Sequence, residues 1–228
     1  MHSSKKECEI RAPLEPTSNV TVVITSFNRS DLLLRTLNSF FKFNTYPIKE
    51  VIITEDSGVA HANNTIKAAY PHLTYIDGTK RIGQVLSIDR AYARVTTPYV
   101  FHLEEDWEFY KPDFIQKSLE ILEKLPNVSL VICEAHGRYQ PQIKDKRLAR
   151  NINPAWGYYS FNPGLRRISD YKKVCPGGFG NYTVFRPHRP VKSEKKINDL
   201  FRKNGYVMGI LNEPQGHLKH IGIGRHVE

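Results

Sequence analysis

The chain has 228 residues, 40% of them apolar and 25% charged, a balance that suits one globular domain with a core of its own. Its 33 Lys and Arg against 23 Asp and Glu give a formal net charge of +10, so it calls for, or tolerates, an anionic partner such as nucleic acid, a phosphorylated small molecule or an anionic membrane surface. Its apolar runs fall far short of the ~20 residues that cross a bilayer, and three scattered cysteines (Cys8, Cys133, Cys175) make neither a disulfide framework nor a metal knuckle.

Residues 1–18 are polar, contain prolines and lack the apolar stretch of a signal peptide, so they read as a loose arm on a protein expected to be cytoplasmic or peripheral to a membrane. TVVIT (21–25) is a β-branched run ending at the turn-prone Ser26-Phe27-Asn28-Arg29. Ser30 and Asp31 then offer an N-cap, and Leu33, Leu34, Leu37, Phe40 and Phe41 recur at helical spacing. VIIT (51–54) is a second strand, ending in Glu55-Asp56-Ser57-Gly58. A helix over 60–70 and a strand over 73–76 follow, with Asp77-Gly78 as the turn. Residues 83–95 read as helix and 99–103 as strand. Pro112-Asp113 opens a helix with Phe114, Ile115, Leu119 and Leu122 on one face, and SLVIC (129–133) is the next strand.

Beyond residue 134 the alternation fails. A long stretch rich in Gly, Pro, Tyr and Arg runs through PGGFGNYTVF (176–185), before a helix over 194–204 and a strand over 206–211. Basic runs gather here: KDKRLAR (144–150), Arg166-Arg167, Lys172-Lys173 and the RPHRPVKSEKK stretch from Arg186. Each alone suits a solvated face, but their clustering hints at an acidic acceptor or a lipid phosphate.

Strands alternating with helices predict an α/β fold, a mostly parallel sheet flanked by helices on both faces, with ligands beyond the carboxyl ends of the strands. Ser26/Asn28/Arg29, Glu55/Asp56 and Glu104/Glu105/Asp106 follow three of those strands and are expected on one rim. FHLEEDWEFYKPDF (101–114) is the sharpest feature. A lone acidic triplet is usually a solvated loop, but three acids directly behind an apolar strand repel one another unless a cation intervenes. Hard oxygen ligands suit Mg²⁺ or Mn²⁺.

Together TVVITSFNRSDLLLRTLNSF, EVIITEDSG and RIGQVLSIDRAYARVTTPYVFHLEED resemble the nucleotide-binding half of GT-A glycosyltransferases, above all the family 2 type, with a Glu-Glu-Asp variant of the Asp-x-Asp motif. The resemblance covers roughly residues 20–115. It implies a GT-A, Rossmann-like domain in which 19–134 form the donor-binding half and 135–228 the acceptor-side half. It also implies a metal-dependent enzyme, of inverting type, using Mn²⁺ or Mg²⁺. Such an enzyme moves sugar from a nucleotide-diphosphate sugar donor to a hydroxyl of a glycan, protein or lipid-linked acceptor. By position, Thr25, Ser26, Asn28 and Arg29 would lie near the nucleotide, and Asp56 or Glu55 would contact base or ribose. Asp106 would bind the metal, with Glu104 on the ribose or a metal-bound water, and Glu105 and Gln84 in the donor site. The family's Arg-Asn pair falls on Ile88 and Asp89. Asp89 would keep a polar contact, while Lys80, Arg81 or Arg90 would replace the lost arginine.

Similar inverting enzymes carry a carboxylate base at the start of a helix behind an acceptor-side Gly-rich loop, which here points to Glu194, with Asp170 and Asp199 as rivals. A capped first helical turn accounts for Glu194 equally well. A late histidine returned to the metal would be His220, with His217 and His226 as alternatives. Trp156, Tyr158, Tyr159 and Phe161 suit either an acceptor-stacking surface or packed core. Two readings compete. A basic nucleic-acid-binding protein would place basic residues on the rim, where this sequence puts acids, so no nucleic acid is expected. A nucleotidyltransferase would carry glycine in the loop after the first strand, and SFNRS has none. A nucleotide-binding relative that does no transfer is the third possibility.

Overall fold

In the computed structural model, which describes residues 14–135, 157–183 and 193–225, strands and helices largely alternate from residue 20 to residue 132. Their order is β1 (Val20–Ser26), α1 (Ser30–Phe43), β2 (Glu50–Glu55), α2 (Asn64–Ala69), β3 (Thr74–Asp77), α3 (Gln84–Tyr92), β4 (Tyr99–Glu104), β5 (Trp107–Phe109), α4 (Phe114–Lys124) and β6 (Val128–Ile132). Then come β7 (Gly164–Arg167), α5 (Ile168–Val174), a 3₁₀ turn (Phe179–Tyr182), α6 (Ser193–Lys203), β8 (Val207–Ile210) and β9 (Leu218–His220).

Seven strands form one sheet in the order β3-β2-β1-β4-β7-β6-β8, and β5 pairs with β9 in a separate ribbon. Every strand of the large sheet runs the same way except β7, which is antiparallel to both β4 and β6. Burial on both faces explains why the parallel strands read as unbroken apolar runs. Val22 and Ile24 of β1 pack into one core cluster and Val23 into the other. The first cluster stacks Phe40, Phe101, Phe109 and Phe114 under α1 and α4, with the Phe109 and Phe114 rings 4.7 Å apart. The second gathers Tyr92, Tyr159, Phe179 and Phe201 beneath α3, α5 and α6.

Two expectations change, and one open choice falls to packed core. The cap position of α1 is Arg29, with no side-chain cap bond, because Ser30 already belongs to the helix; Asp31 instead sits in the first turn, where its charge suits the helix dipole. Residues 14–18, expected in the loose arm, are tied to the fold: Leu14 bridges to Ile48, and Ser18 Oγ donates to the Pro47 carbonyl at 2.7 Å. Tyr159 and Phe161 are core residues, 2% and 5% exposed, and Tyr158 packs against the same cluster. Trp156, His226, KDKRLAR and Arg186 to Lys192 lie outside the described residues. Among those described, no helix is long and apolar enough to cross a membrane.

An ion cluster ties the late chain to the first layer. Glu213 receives Lys117 Nζ at 2.7 Å and also pairs with Lys111. These hydrogen bonds pull its carboxyl down to about 2. A depressed acid stabilises the fold fully above its unfolded value and loses that contribution as pH falls through the folded one. The lysines are more than a third exposed, so solvent screening reduces the effect. Glu213→Gln is therefore expected to cost about 1 kcal/mol at pH 7. Urea melts of both proteins should converge as pH falls from about 4.5 towards 2; a constant gap would contradict the ion-pair account.

Candidate functional site

The parallel register brings three strand ends into line. Ser26 of β1 lies opposite Glu55 of β2, and Thr25 opposite Glu104 of β4. Above them opens a cavity of about 380 Å³ lined by Thr25, Ser26, Phe27, Arg29, Asp56 and Arg81, with Gln84, Ser87, Glu104, Glu105, Asp106 and His220 completing it. Ligand pockets of this kind sit where such sheets end.

The acidic triplet divides its work. Glu105 is 3% exposed and turns towards the loop after β1: its Oε1 accepts the Phe27 N–H at 3.0 Å and Arg29 Nε at 2.8 Å. Asp106 Oδ2 takes Arg29 Nη1 at 3.0 Å and lies 3.2 Å from His220 Nε2. Asp106 Oδ1 is buried and has no hydrogen-bond partner. Glu104 accepts Gln84 Nε2 at 2.6 Å and Trp107 Nε1 at 3.3 Å. Burial, then the charges of Asp106 and Glu105, pushes its carboxyl up to about 7. Burial likewise raises Glu105 despite Arg29 beside it. It works against the Arg29 charge too, but Glu105 and Asp106 outweigh it and raise that group.

The ribbon of β5 and β9 delivers His220. Trp107 pairs with His220 across it, and their rings lie 5.2 Å apart. Ile221 N–H then donates to the Asp106 carbonyl at 2.8 Å, and Gly222 lies so close that a Cβ there would fall 2.3 Å from Asp106 Oδ2. The sequence singles out the histidine but not this glycine, whose only signal is the repeated Gly in HIGIG. His217, the nearest rival, is fully buried, and burial lowers its pKa; its ring sits 6.3 Å from Phe114.

Other expected donor contacts are turned inward. Glu55 accepts the N–H groups of Asn28 (3.0 Å) and Ser57 (2.9 Å), and neither Glu55 nor Asn28 lines the cavity. Asp89 clamps the 3₁₀ turn, taking Phe179 N–H at 2.9 Å, Gly180 N–H at 2.8 Å and the Tyr171 hydroxyl at 2.8 Å. Neighbouring donors take up the oxygens of both, and neither residue lines the cavity. Asp56 does line it, although Ile82 and Gly83 N–H groups occupy both oxygens at 2.9 and 2.8 Å, and burial raises its pKa. Of the three candidate replacement cations, Arg81 lines the cavity with its guanidinium 4.9 Å from the Phe27 ring centre. Arg90 instead donates to Thr54 Oγ1 and the Glu55 carbonyl.

On the acceptor side, Glu194 lies in the first turn of α6, outside the cavity lining, with Oε1 accepting Ser160 Oγ at 2.7 Å and Phe161 N–H at 2.9 Å. It is close enough for its charge to act on Glu104. Asp170 instead pairs with Arg167 at 2.5 Å and Asp199 with Lys195 at 2.7 Å.

Among the described residues no three His, Cys, Asp or Glu side chains group to hold a metal by themselves. Asp106 with His220 is the pair that could share an ion with a phosphorylated ligand, since Mg²⁺-like ions take few protein ligands and fill the rest with phosphate and water.

The family model described as Glycosyl transferase family 2 matches residues 21–187. Among solved structures, the 1–349 portion of S. aureus TarS is similar with a TM-score of 0.64 at 13% identity, over 88% of this chain and 60% of that one. The mannosyltransferase PcManGT from Pyrobaculum calidifontis, in complex with GDP-Man and Mn²⁺, gives 0.61 at 18% identity, over 89% and 57%. TarS 1–349 in complex with UDP-GlcNAc gives 0.60 at 12% identity, over 92% and 62%. The chain thus spans about three fifths of the length of these proteins, and at such identities the likeness shows the fold. No curated protein sequence matches this one significantly.

Proposed function

The chain belongs to glycosyl transferase family 2, and on that premise we propose that its rim cavity binds a nucleotide-diphosphate sugar with Mn²⁺ or Mg²⁺ and that it transfers the sugar to an acceptor hydroxyl. The observation that carries this reading is Asp106 Oδ1, a carboxylate oxygen buried in the cavity wall without a partner. Such an atom is costly to bury unless a ligand supplies what the fold does not. The complexes of PcManGT with GDP-Man and Mn²⁺ and of TarS with UDP-GlcNAc support the same class of donor.

Asp106 and His220 would hold the ion. A divalent cation bound there offsets the negative charge that grows on the departing diphosphate, with no change in its own protonation. Arg29, bonded to Glu105 and Asp106 together, keeps two adjacent carboxylates close and ties the β1–α1 loop to them. Gln84 and Trp107 fix Glu104 beside the donor. Phe27, Asp56 and Arg81 also line the cavity, with the Arg81 guanidinium over the Phe27 ring, and would meet the nucleoside. Glu194 takes the acceptor's proton as that oxygen bonds to the anomeric carbon and the bond to the diphosphate oxygen breaks, which inverts the anomeric centre. Ser160 and Phe161 hold Glu194 in place for that task. A glycan, protein or lipid-linked acceptor fits this chemistry, and the charge of +10 favours an anionic surface nearby.

A thermal-shift panel of UDP-, GDP- and dTDP-sugars, with and without Mn²⁺, tests the reading. A ligand held only by the native state at 100 times its Kd adds roughly 2.7 kcal/mol of stability. One donor class is expected to raise Tm by several degrees with Mn²⁺ and little without it. No response to any nucleotide, alongside salt-dependent binding of RNA or DNA, would instead favour the nucleic-acid reading.

A further inference from the structure

Strand β5 is closed on both edges, and its second edge bears on Asp106. Along one edge it pairs with β9, and the flanking N–H groups of Ile221 and Tyr110 extend that ladder to the carbonyls of Asp106 and His217 at 2.8 and 3.0 Å. Along the other edge, helix α1 takes the place of a strand. The N–H groups of Trp107 and Phe109 donate to the hydroxyls of Thr36 (3.2 Å) and Ser39 (3.0 Å). Residues three apart share a helix face, and alternate strand residues aim their N–H groups at one edge, so the two elements can meet in this way.

Thr36 does something Ser39 does not. Its Oγ1 also donates to the Glu105 carbonyl at 2.6 Å, so one hydroxyl bridges the backbone groups immediately before and after Asp106. Ser39 spends its proton on the Thr36 carbonyl at 3.0 Å. Thr36 is fully buried, so no water can substitute for its hydroxyl without rearrangement. With the Ile221 bond to the Asp106 carbonyl, every polar backbone group from the Glu105 carbonyl to the Trp107 N–H except the Asp106 N–H has a named partner.

We infer that Thr36 is a positioning residue for Asp106: by holding the Glu105 carbonyl and the Trp107 N–H it sets the direction in which the Asp106 carboxylate leaves the backbone, and through it the affinity of the site for a divalent cation. The inference rests on Asp106 being the metal ligand of the proposed function. Groups that orient a ligand from behind are worth roughly 10- to 100-fold in metal affinity. Valine has the shape of threonine without the hydroxyl, so it leaves the carbonyl and the N–H flanking Asp106 unpaired.

The test is a Mn²⁺ titration of the full chain with UDP and, separately, GDP present, following free Mn²⁺ by its paramagnetic resonance signal. Thr36→Val is expected to raise the half-saturating Mn²⁺ concentration at least about tenfold. Thr36→Ser, which restores the hydroxyl, should return it to within about twofold. Ser39→Ala loses a bond to the same strand but none beside Asp106, so its melting temperature falls while its Mn²⁺ affinity stays within about twofold of wild type. Should Thr36→Val not fold, Thr36→Ala is read in the same way. Wild-type Mn²⁺ affinity in the folded hydroxyl-less variant, or an equal loss in Ser39→Ala, overturns this inference alone. A wild-type chain that binds no Mn²⁺ with either nucleotide overturns the metal reading and this inference together.

Discussion

Asp106→Asn is expected to lower metal-dependent sugar transfer on the order of 10³-fold, about 4 kcal/mol of transition-state stabilisation. The substitution keeps the size of the side chain and an oxygen for Arg29 and His220, so the ribbon of β5 and β9 and its closure by Ile221 are retained. What it removes is the charge that a divalent ion would meet at Oδ1. Donor binding should lose its dependence on Mn²⁺, and the melting temperature of the metal-free protein should change little. Initial rates of donor turnover, with circular dichroism to confirm the fold, check this. Near wild-type turnover in a folded Asp106→Asn protein would remove the metal assignment.

Glu194→Gln is expected to keep donor binding and lose transfer by roughly 10²- to 10⁴-fold, the range for a general base. The glutamine carbonyl can still accept from Ser160 Oγ and the Phe161 N–H, so the anchorage at the start of α6 persists. Only the ability to take a proton goes. The expected signature is a kcat effect with the donor KM nearly unchanged, because an interaction made in the transition state is removed and ground-state binding is not. Equal rates in both proteins would exclude Glu194 as base. Asp170 and Asp199 are then weaker substitutes, since Arg167 and Lys195 already pair with them.

The first half of the chain was legible because its physics is local. β-Branched runs buried on both faces show as β1, β2 and β4 whatever surrounds them, and a parallel sheet must carry their polar ends to one rim. Strand β7 was illegible for the opposite reason. GLRR reads as a surface loop, yet Arg166 is 2% exposed because the Ser160 and Asn162 carbonyls and the Tyr92 hydroxyl receive its guanidinium. Those partners lie up to 74 positions away, and no sequence period encodes them. Within the rim, residue type showed where acids would collect but not where each would point. Glu55 and Asp89 look like ligand contacts in sequence, yet each takes up backbone N–H groups of a neighbouring loop and neither lines the cavity, whereas Glu105 lines it while also accepting the Phe27 N–H. Thr36 carries no sequence signal at all, being one more residue on the inner face of an amphipathic helix.

The central claim is that Asp106 and His220 hold a divalent cation shared with a nucleotide-diphosphate sugar. The most direct measurement is a crystal of the full chain grown with Mn²⁺ and the donor that raises its melting temperature, examined by anomalous scattering at the manganese edge. The account predicts one strong anomalous peak at Asp106 and His220 when the donor is bound, with Arg29 still on Glu105. A nucleotide bound in the rim cavity with no peak at Asp106, or a peak held by other side chains, would contradict it.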